Sequence, residues 1–339
     1  MTELTALKAT PQRLRRLAQL GYLDRQALVA GLHRLQALPD RHAWLRFLDY
    51  ILLVLGALFL TSGIFFFVAY NWEELPRMAR FGTVGGALLI AVAVAHGAGL
   101  QRLAGKVALT VAALLVGALL AVFGQEYQSG ADSYSLFAYW ALLITGWVLI
   151  GRFDLLWVGW LALLNVTLLL FWQQTFRGDT VPHAESLFAL NVVGLLLWEW
   201  MEGRFPWWRH RWPARITLTA AFGFILWPTL WNIFALFDSY PSYQEAVPLV
   251  HRFAPLIYLL WLAAVWLVYS RYRPDLFMIT VALFSLIVVL TSLLGRALVE
   301  VDETLAYFVT SAAVIAQAGV AVTLLRRLHV RWEEQGLGE

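Results

Sequence analysis

Long apolar runs alternate with short polar segments along most of this chain. A helix needs about 20 mostly apolar residues to cross the hydrocarbon core of a bilayer, with a range of roughly 17–25. Ten charge-free runs meet or approach this length: 51–70, 81–100, 107–124, 134–151, 155–172, 186–198, 216–237, 253–270, 276–295 and 305–325. The sixth run is short, and it spans only if Glu199 lies at the level of the lipid headgroups. The pattern predicts an all-α integral membrane protein with about ten transmembrane helices.

The positions of Lys and Arg indicate how these spans are oriented. Cytoplasmic loops of membrane proteins carry an excess of both residues. With ten spans and the N-terminus inside, 20 of the 25 Lys and Arg residues fall in inside segments and 5 in outside loops. Without the sixth span, the loop that carries four arginines would turn outward and spoil this pattern. The count therefore predicts that both termini are cytoplasmic, and it favours a real sixth span.

Composition agrees with a membrane location and excludes several functional classes. The chain is 60% apolar and only 14% charged, whereas a soluble domain is nearer half apolar and a quarter charged. The formal net charge of +3 is too small and too scattered to suggest a nucleic-acid partner. There is no cysteine, which excludes disulfides, thiolate nucleophiles and thiolate metal sites.

The N-terminal region differs in kind from the spans. Leu14 and Leu17 belong to a series at helical spacing, and Gly21 fits a helix stop. Asp24 can then cap a second helix. These signals predict a small cytoplasmic helical hairpin, with one apolar and one arginine-rich face, within residues 1–48. It either anchors the chain on the first span or on lipid, or it docks a protein partner.

We therefore divide the chain into three regions. Residues 1–48 form the amphipathic helical region, residues 49–326 the ten-helix transmembrane domain, and residues 327–339 a cytoplasmic tail.

Two turns predicted on the outer face are rich in hydrogen-bonding groups. Their candidate residues are Asn71 and Trp72 in the first turn, and Gln125, Tyr127, Gln128, Gly130 and Asp132 in the second. The second turn could fold back into the membrane if protein or water satisfies its backbone. In the simpler interpretation, Asp132 or Ser133 caps the next helix and Tyr127 lies in the aromatic belt. Asn71 is placed to cap a short surface helix.

Polar residues within the spans are few. Near mid-span they are Asn165, Asn191, Asn232 and Gln317, and such residues most often hydrogen-bond between helices. Pro228 lies one turn before Asn232. A proline frees a helix carbonyl, and transporters build sites at such breaks, although ordinary transmembrane helices also tolerate proline. Ionisable groups are almost absent at depth, which argues against a proton-coupled pump.

One inside loop mixes cations with large aromatic rings. It contains Arg204, Trp207, Trp208, Arg209, Arg211 and Trp212. We expect these residues to anchor the protein at the lipid headgroups of the anionic inner leaflet. A specific lipid site is the alternative.

The sequence contains no recognisable catalytic, cofactor or metal motif. We find no HExxH spacing, nucleophile elbow, phosphate loop or dinucleotide fingerprint. The seven histidines form no cluster in the sequence. We therefore predict a protein that is not an enzyme and needs no cofactor.

Several stretches resemble a known family. Residues 17–24, 56–72, 124–132 and 136–143 resemble the bacterial membrane family called domain of unknown function 2157, and the likeness extends over roughly residues 10–175. Glu126 departs from the family pattern, which usually has an apolar or small residue there. The resemblance implies a bacterial inner-membrane protein whose outer loops are periplasmic. It brings no activity with it.

Three functions compete. The first is a structural or accessory membrane protein that contacts lipid or a protein partner, the latter through residues 1–48. The second is a secondary transporter or channel for a small solute, with a site near the periplasmic turns. The third, a lipid-modifying enzyme, would need Glu126 and Asp132 as its acid/base pair, and the family pattern weakens the case for Glu126.

Overall fold

The computed structural model describes residues 11–35, 41–127, 130, 132–175, 183–205, 208, 210–236, 252–299 and 301–334. Within these residues the chain forms twelve α-helices and no strand. They are α1 (Pro11–Gln19), α2 (Arg25–Arg34), α3 (Arg41–Tyr70), α4 (Arg77–Ala98), α5 (Leu103–Glu126), α6 (Ser133–Gly151), α7 (Asp154–Thr175), α8 (His183–Met201), α9 (Trp212–Leu236), α10 (Ala254–Leu267), α11 (Leu276–Val299) and α12 (Glu303–Glu334). A π-helical turn, Val268–Tyr272, continues α10.

Among the described residues, ten helices are long and apolar enough to cross a membrane, and they are α3 to α12. The all-α fold and the number of spans predicted from the sequence are confirmed. The sixth, α8, has 19 residues, which at about 1.5 Å per residue is close to the thickness of the hydrocarbon core. It is longer than the apolar run 186–198 because the helix begins at His183 and continues through Glu199 to Met201.

Two helices run across the boundaries that the sequence suggested between regions. α3 begins at Arg41, ahead of the first apolar run, and continues without a break to Tyr70. α12 continues past residue 326 to Glu334. Near its end, Trp332 is buried, and its indole N–H donates to the carbonyl of Ser270 at 3.3 Å. This part of the C-terminal region is therefore packed against the turn that follows α10.

The chain divides within α5 into two compact units, Met1–Leu115 and Val116–Glu339. In the first unit, α1 and α2 pack together, with Gly31 against the side chain of Leu14. Both local signals for this hairpin are confirmed. Gly21 has φ +80°, a conformation that glycine adopts without strain, and the N–H of Ala27 donates to Asp24 Oδ1 at 2.6 Å.

The core of the second unit lies among α8, α9, α10 and α11. Leu218, Phe222, Tyr258, Met278 and Ile279 are all buried there. These side chains come from three helices whose apolar faces converge. The close packing restrains the positions of these helices.

Polar contacts join neighbouring helices of the second unit. The side-chain amide of Asn191 in α8 donates to Asn165 Oδ1 in α7 at 2.6 Å. The hydroxyl of Tyr258 in α10 lies 3.2 Å from that of Ser285 in α11. The expectation that mid-span asparagines pair between helices is confirmed for Asn165 and Asn191.

Candidate functional site

Charged side chains of the second unit converge at the end of the bundle where α8 ends and α9 begins. The members of this ion-pair cluster are Glu199, Glu202, Arg211, Arg215, Tyr269, Arg273 and Asp275. They come from the end of α8, the start of α9, the π-helical turn and the segment before α11. Because these helices alternate in direction, their charged ends meet at one level.

Arg211 lies at the centre of the cluster. Its Nη1 is 3.2 Å from Glu199 Oε2 and 2.5 Å from Glu202 Oε2, and its Nε is 3.3 Å from Asp275 Oδ2. Burial by itself would lower the pKa of Arg211, but the charges of Glu199, Glu202 and Asp275 together raise its pKa above the ordinary value. Arg211 therefore stays charged and ties α8 to the segment before α11.

Arg273 and Tyr269 also bind Glu199. Arg273 donates through Nη1 to Glu199 and, at 3.0 Å, to Glu202. The hydroxyl of Tyr269 donates to Glu199 Oε1 at 2.8 Å. Tyr269 sits in the π-helical turn, a local widening of the helix that often occurs where a side chain needs a special position.

Asp275 combines an ion pair with a helix cap. Its Oδ2 accepts from Nε of Arg211 at 3.3 Å and of Arg215 at 3.2 Å. Its Oδ1 accepts from the backbone N–H of Phe277 at 3.0 Å and of Met278 at 3.4 Å, at the start of α11. The side chain is only 2% exposed. A buried carboxylate needs such partners, since an uncompensated charge there is costly.

The charges of the cluster balance. Three arginines face two glutamates and one aspartate, which gives a net charge of zero. No cation or anion is in excess to attract a charged solute. The arrangement is suited to fixing the helix ends relative to one another.

Three tryptophans pack beside this cluster. The ring of Trp208 meets Trp198 edge-on at a centroid distance of 4.7 Å and Trp157 at 4.9 Å. A small cleft of about 40 Å³ opens beside them between α7, α8 and α9. We call it the tryptophan cleft; it is lined by Trp157, Val158, Trp160, Leu161, Gly194, Leu197, Trp198, Met201, Trp208, Pro213 and Thr217.

One further contact fastens the segment that carries Trp208. His210 Nδ1 lies 2.5 Å from Asp154 Oδ2, at the first residue of α7. Trp208, His210 and Arg211 therefore connect this segment to α7, α8 and the segment before α11. The connection between α8 and α9 is held by packing as well as by charge.

In the first predicted outer turn, Asn71 does not have the role that the sequence suggested. The side chain of Asn71 donates to the carbonyl of Phe67 at 2.8 Å, so it closes the C-terminal end of α3. The prediction that Asn71 caps a following surface helix is wrong, because residues 71–75 form turns rather than a helix. Arg80 in α4 stacks on the ring of Trp72 at 4.2 Å and donates to the carbonyl of Trp72.

The second predicted outer turn is partly helical. α5 continues through Gln125 to Glu126, whereas the apolar run ended at residue 124. Tyr127 is 52% exposed, and its ring packs against that of Phe123 with the ring planes tilted by 34°. Gly130 has φ +58°.

Asp132, the last candidate of this turn, does not act as a helix cap. Asp132 precedes α6 at the cap position, but its side chain makes no capping hydrogen bond. The first turn of α6 is instead tied by Ser135, which bonds to the carbonyl of Asp132. Gln128 lies outside the described residues.

The candidate site at Pro228 and Asn232 has hydrogen bonds within its own helix. α9 contains Pro228 and still runs from Trp212 to Leu236. The side-chain amide of Asn232 donates to the carbonyl of Pro228 at 2.7 Å. Thr229 likewise bonds to the carbonyl of Ile225 at 2.7 Å. The polar groups beside the proline thus bond within their own helix.

The residues of the predicted headgroup anchor differ in exposure: some are buried against protein and others remain exposed. Trp208 is 5% exposed, and Arg211 is held by three acids, so both have protein partners. Arg204 remains exposed, stacks on Trp200 at 4.3 Å and donates to its carbonyl, and Trp212 is 36% exposed. The anchor prediction now rests on Arg204 and Trp212, since Trp207 and Arg209 lie outside the described residues.

Sequence reasoning missed the ion-pair cluster. From the sequence, Glu199 was recognised only as a charge at the end of a span, and Glu202 was not singled out. The sequence does contain a signal for part of the cluster. Two acids one helical turn apart precede an arginine-rich loop, and this pattern favours ion pairs between them. No such local signal exists for Asp275, because its arginine partners lie 60 and 64 residues away in the chain. Among the described residues, no group of three His, Asp or Glu could hold a metal ion.

Ten apolar helices without a strand in the described ranges define a multi-pass α-helical membrane protein. Residues 15–157 match the family described as "Predicted membrane protein (DUF2157)". This match confirms the resemblance seen in the sequence. It ends before α8, so all of the ion-pair cluster and most of the cleft lie beyond it. No curated protein and no solved structure matches the chain.

Proposed function

We propose that this protein is a structural or accessory component of the bacterial inner membrane, with the N-terminal hairpin as its contact surface for a protein partner. The observation that carries the proposal is the pairing of the charged cluster and of the asparagines of α7 and α8 in the second unit. The ion-pair cluster is neutral, and Asn165 and Asn191 bond to each other. A solute-binding site at depth needs polar groups that remain available to the solute.

The hairpin supplies the exposed surface for this role. Leu17 is 41% exposed, Leu20 63% and Val29 40%. Apolar side chains on a small basic helical pair are suited to contact another apolar surface. The proposal includes both termini in the cytoplasm, supported by the 20 to 5 division of Lys and Arg. In this topology the ion-pair cluster and the tryptophan cleft lie on the cytoplasmic side.

Photo-crosslinking in living cells tests the contact. A photoreactive amino acid at Leu17 should give a protein adduct of one defined mass. The same amino acid at Arg15, which is exposed on the same helix, should give much less of it. Val29→Glu should remove the adduct. Equal adducts at both positions, or none, would refute the partner contact.

Reconstitution tests the competing function. Proteoliposomes containing the full chain should accumulate no solute from a broad panel of small neutral and polar compounds. Saturable accumulation that depends on the protein would overturn the accessory function in favour of transport.

Thiol labelling tests the topology, because the chain has no cysteine of its own. A membrane-impermeant reagent added from the periplasmic side should label Tyr127→Cys in intact inner membranes. His210→Cys, whose parent side chain is 70% exposed, should react only after the membrane is opened. The reverse order would contradict cytoplasmic termini.

A further inference from the structure

Some arginines of the second unit are not compensated by acids of the protein. The arginines of the ion-pair cluster bond to its carboxylates. In contrast, Arg271, Arg327 and Arg331 are exposed and form no ion pair with any acid in the part of the chain that the structure describes. Glu333, an exposed acid near the end of α12, faces His329 at 3.4 Å. Three positive charges are therefore available to a partner outside the chain.

The tertiary structure brings these three residues to the same end of the second unit. Arg327 and Arg331 are one helical turn apart in α12, so they lie on the same side of that helix. The bond from the indole N–H of Trp332 to the carbonyl of Ser270 fastens the end of α12 to the π-helical turn. Arg331 precedes Trp332, and Arg271 follows Ser270. We call Arg271, Arg327 and Arg331 together the arginine surface.

The arginine surface lies where the apolar parts of two spans end. The candidate span that contains Arg271 ends at Tyr272, and Tyr272 is 74% exposed, as is typical of an aromatic residue at a membrane–water interface. Arg327 and Arg331 follow the apolar run 305–325 within the same helix. Long arginine side chains at the end of a span extend towards the lipid headgroups. A soluble partner would have to reach this boundary, whereas lipid phosphates already lie at it.

We propose that the arginine surface binds the headgroups of anionic phospholipids. A guanidinium group binds a phosphate through two parallel hydrogen bonds, and each basic residue near an anionic membrane surface strengthens binding by about fivefold. In the proposed topology this end of the unit faces the anionic cytoplasmic leaflet. The inference goes beyond the partner contact at residues 1–48 and can fail or hold separately from it, because it involves different residues and a different ligand.

Native mass spectrometry of the full chain in detergent tests the surface. The protein is mixed with equal amounts of dioleoylphosphatidylglycerol and dioleoylphosphatidylcholine, which share their acyl chains and differ in headgroup charge. The wild type should retain more of the anionic lipid. The triple variant Arg271→Gln, Arg327→Gln and Arg331→Gln should lower the ratio of the two bound lipids by more than about tenfold. An unchanged ratio would overturn the proposal. Because the three side chains are exposed and unpaired, the variant should unfold at the same denaturant concentration as the wild type.

Two further variants separate this surface from attraction by total charge. Arg15→Gln, Arg16→Gln and Arg25→Gln together remove the same number of charges from exposed positions of the N-terminal hairpin, and this triple variant should keep the lipid ratio. An equal loss in both triple variants would show that only the net charge matters and would overturn the proposal. Lysine at all three positions of the arginine surface keeps the charge, so it should retain most of the preference. A lysine variant with no more preference than the glutamine variant would contradict recognition by charge.

Discussion

Asp275 offers the sharpest test of the ion-pair cluster, because one side chain performs two separable tasks. Asp275→Asn keeps an oxygen that can accept from the N–H groups of Phe277 and Met278, since Asn caps helices as well as Asp does. It removes the charge that faces Arg211 and Arg215. Asp275→Ala removes both the charge and the cap.

The structure sets the expected magnitudes. Breaking a buried ion pair by removing one partner costs about 3–5 kcal/mol. Arg211 keeps Glu199 and Glu202, and the side chain of Arg215 is 40% exposed, so hydration and the remaining acids reduce the cost to about 2 kcal/mol. Loss of the cap in Asp275→Ala adds about 1 kcal/mol.

Reversible unfolding of the full chain in mixed detergent micelles measures both values. Asp302 supplies the matched control: its Oδ1 accepts from the N–H of Leu305 at 2.8 Å, and it pairs with no arginine among the described residues. Asp302→Asn should leave the free energy of unfolding nearly unchanged, and Asp302→Ala should lower it by about 1 kcal/mol. An Asp275→Asn variant as stable as the wild type, or as unstable as Asp275→Ala, would refute the reasoning.

Two further predictions concern packing between helices. Gly117→Ala should lower the free energy of unfolding by about 1–3 kcal/mol, because a Cβ there would lie 2.4 Å from the ring of Trp140. Asn191→Ala should cost about 0.6–1.7 kcal/mol through its lost bond to Asn165, and a double-mutant cycle with Asn165→Ala should return most of that value as coupling. The same unfolding assay measures both.

Each of these predictions has a control within the chain. Gly124→Ala adds the same methyl group where nothing lies within 4 Å, and it should be neutral or stabilising. If Gly117→Ala behaved in the same way, the close approach of α5 and α6 would be wrong. A coupling energy near zero between Asn165 and Asn191 would show that their hydrogen bond contributes nothing.

The sequence alone predicted the class of protein and its local features. The bilayer leaves no alternative to helices for long apolar runs, since every backbone polar group must find a partner within the span. For that reason the ten spans follow from hydropathy, including the short sixth one. Gly21 and Asp24 were equally predictable, because a positive φ and a helix cap depend on neighbours only a few residues away.

Local signals failed at two predicted helix caps. Asn71 has the right chemistry for a cap, but its side chain bonds backwards to Phe67 and not forwards. Asp132 occupies a cap position and makes no cap. In both cases residue type fixes which groups can bond, whereas the path of the chain decides which bond forms.

The ion-pair cluster and the cleft were decided by tertiary structure. Arg273 and Glu199 are 74 residues apart in the chain, and the ends of α8 and α10 must arrive at one level before they can pair. Trp208 looked like a headgroup anchor by composition and became a buried ring between Trp157 and Trp198. Hydropathy determines which segments enter the membrane, because each segment meets the lipid on its own. Which side chains then meet depends on how the helices pack, and that is a property of the whole bundle.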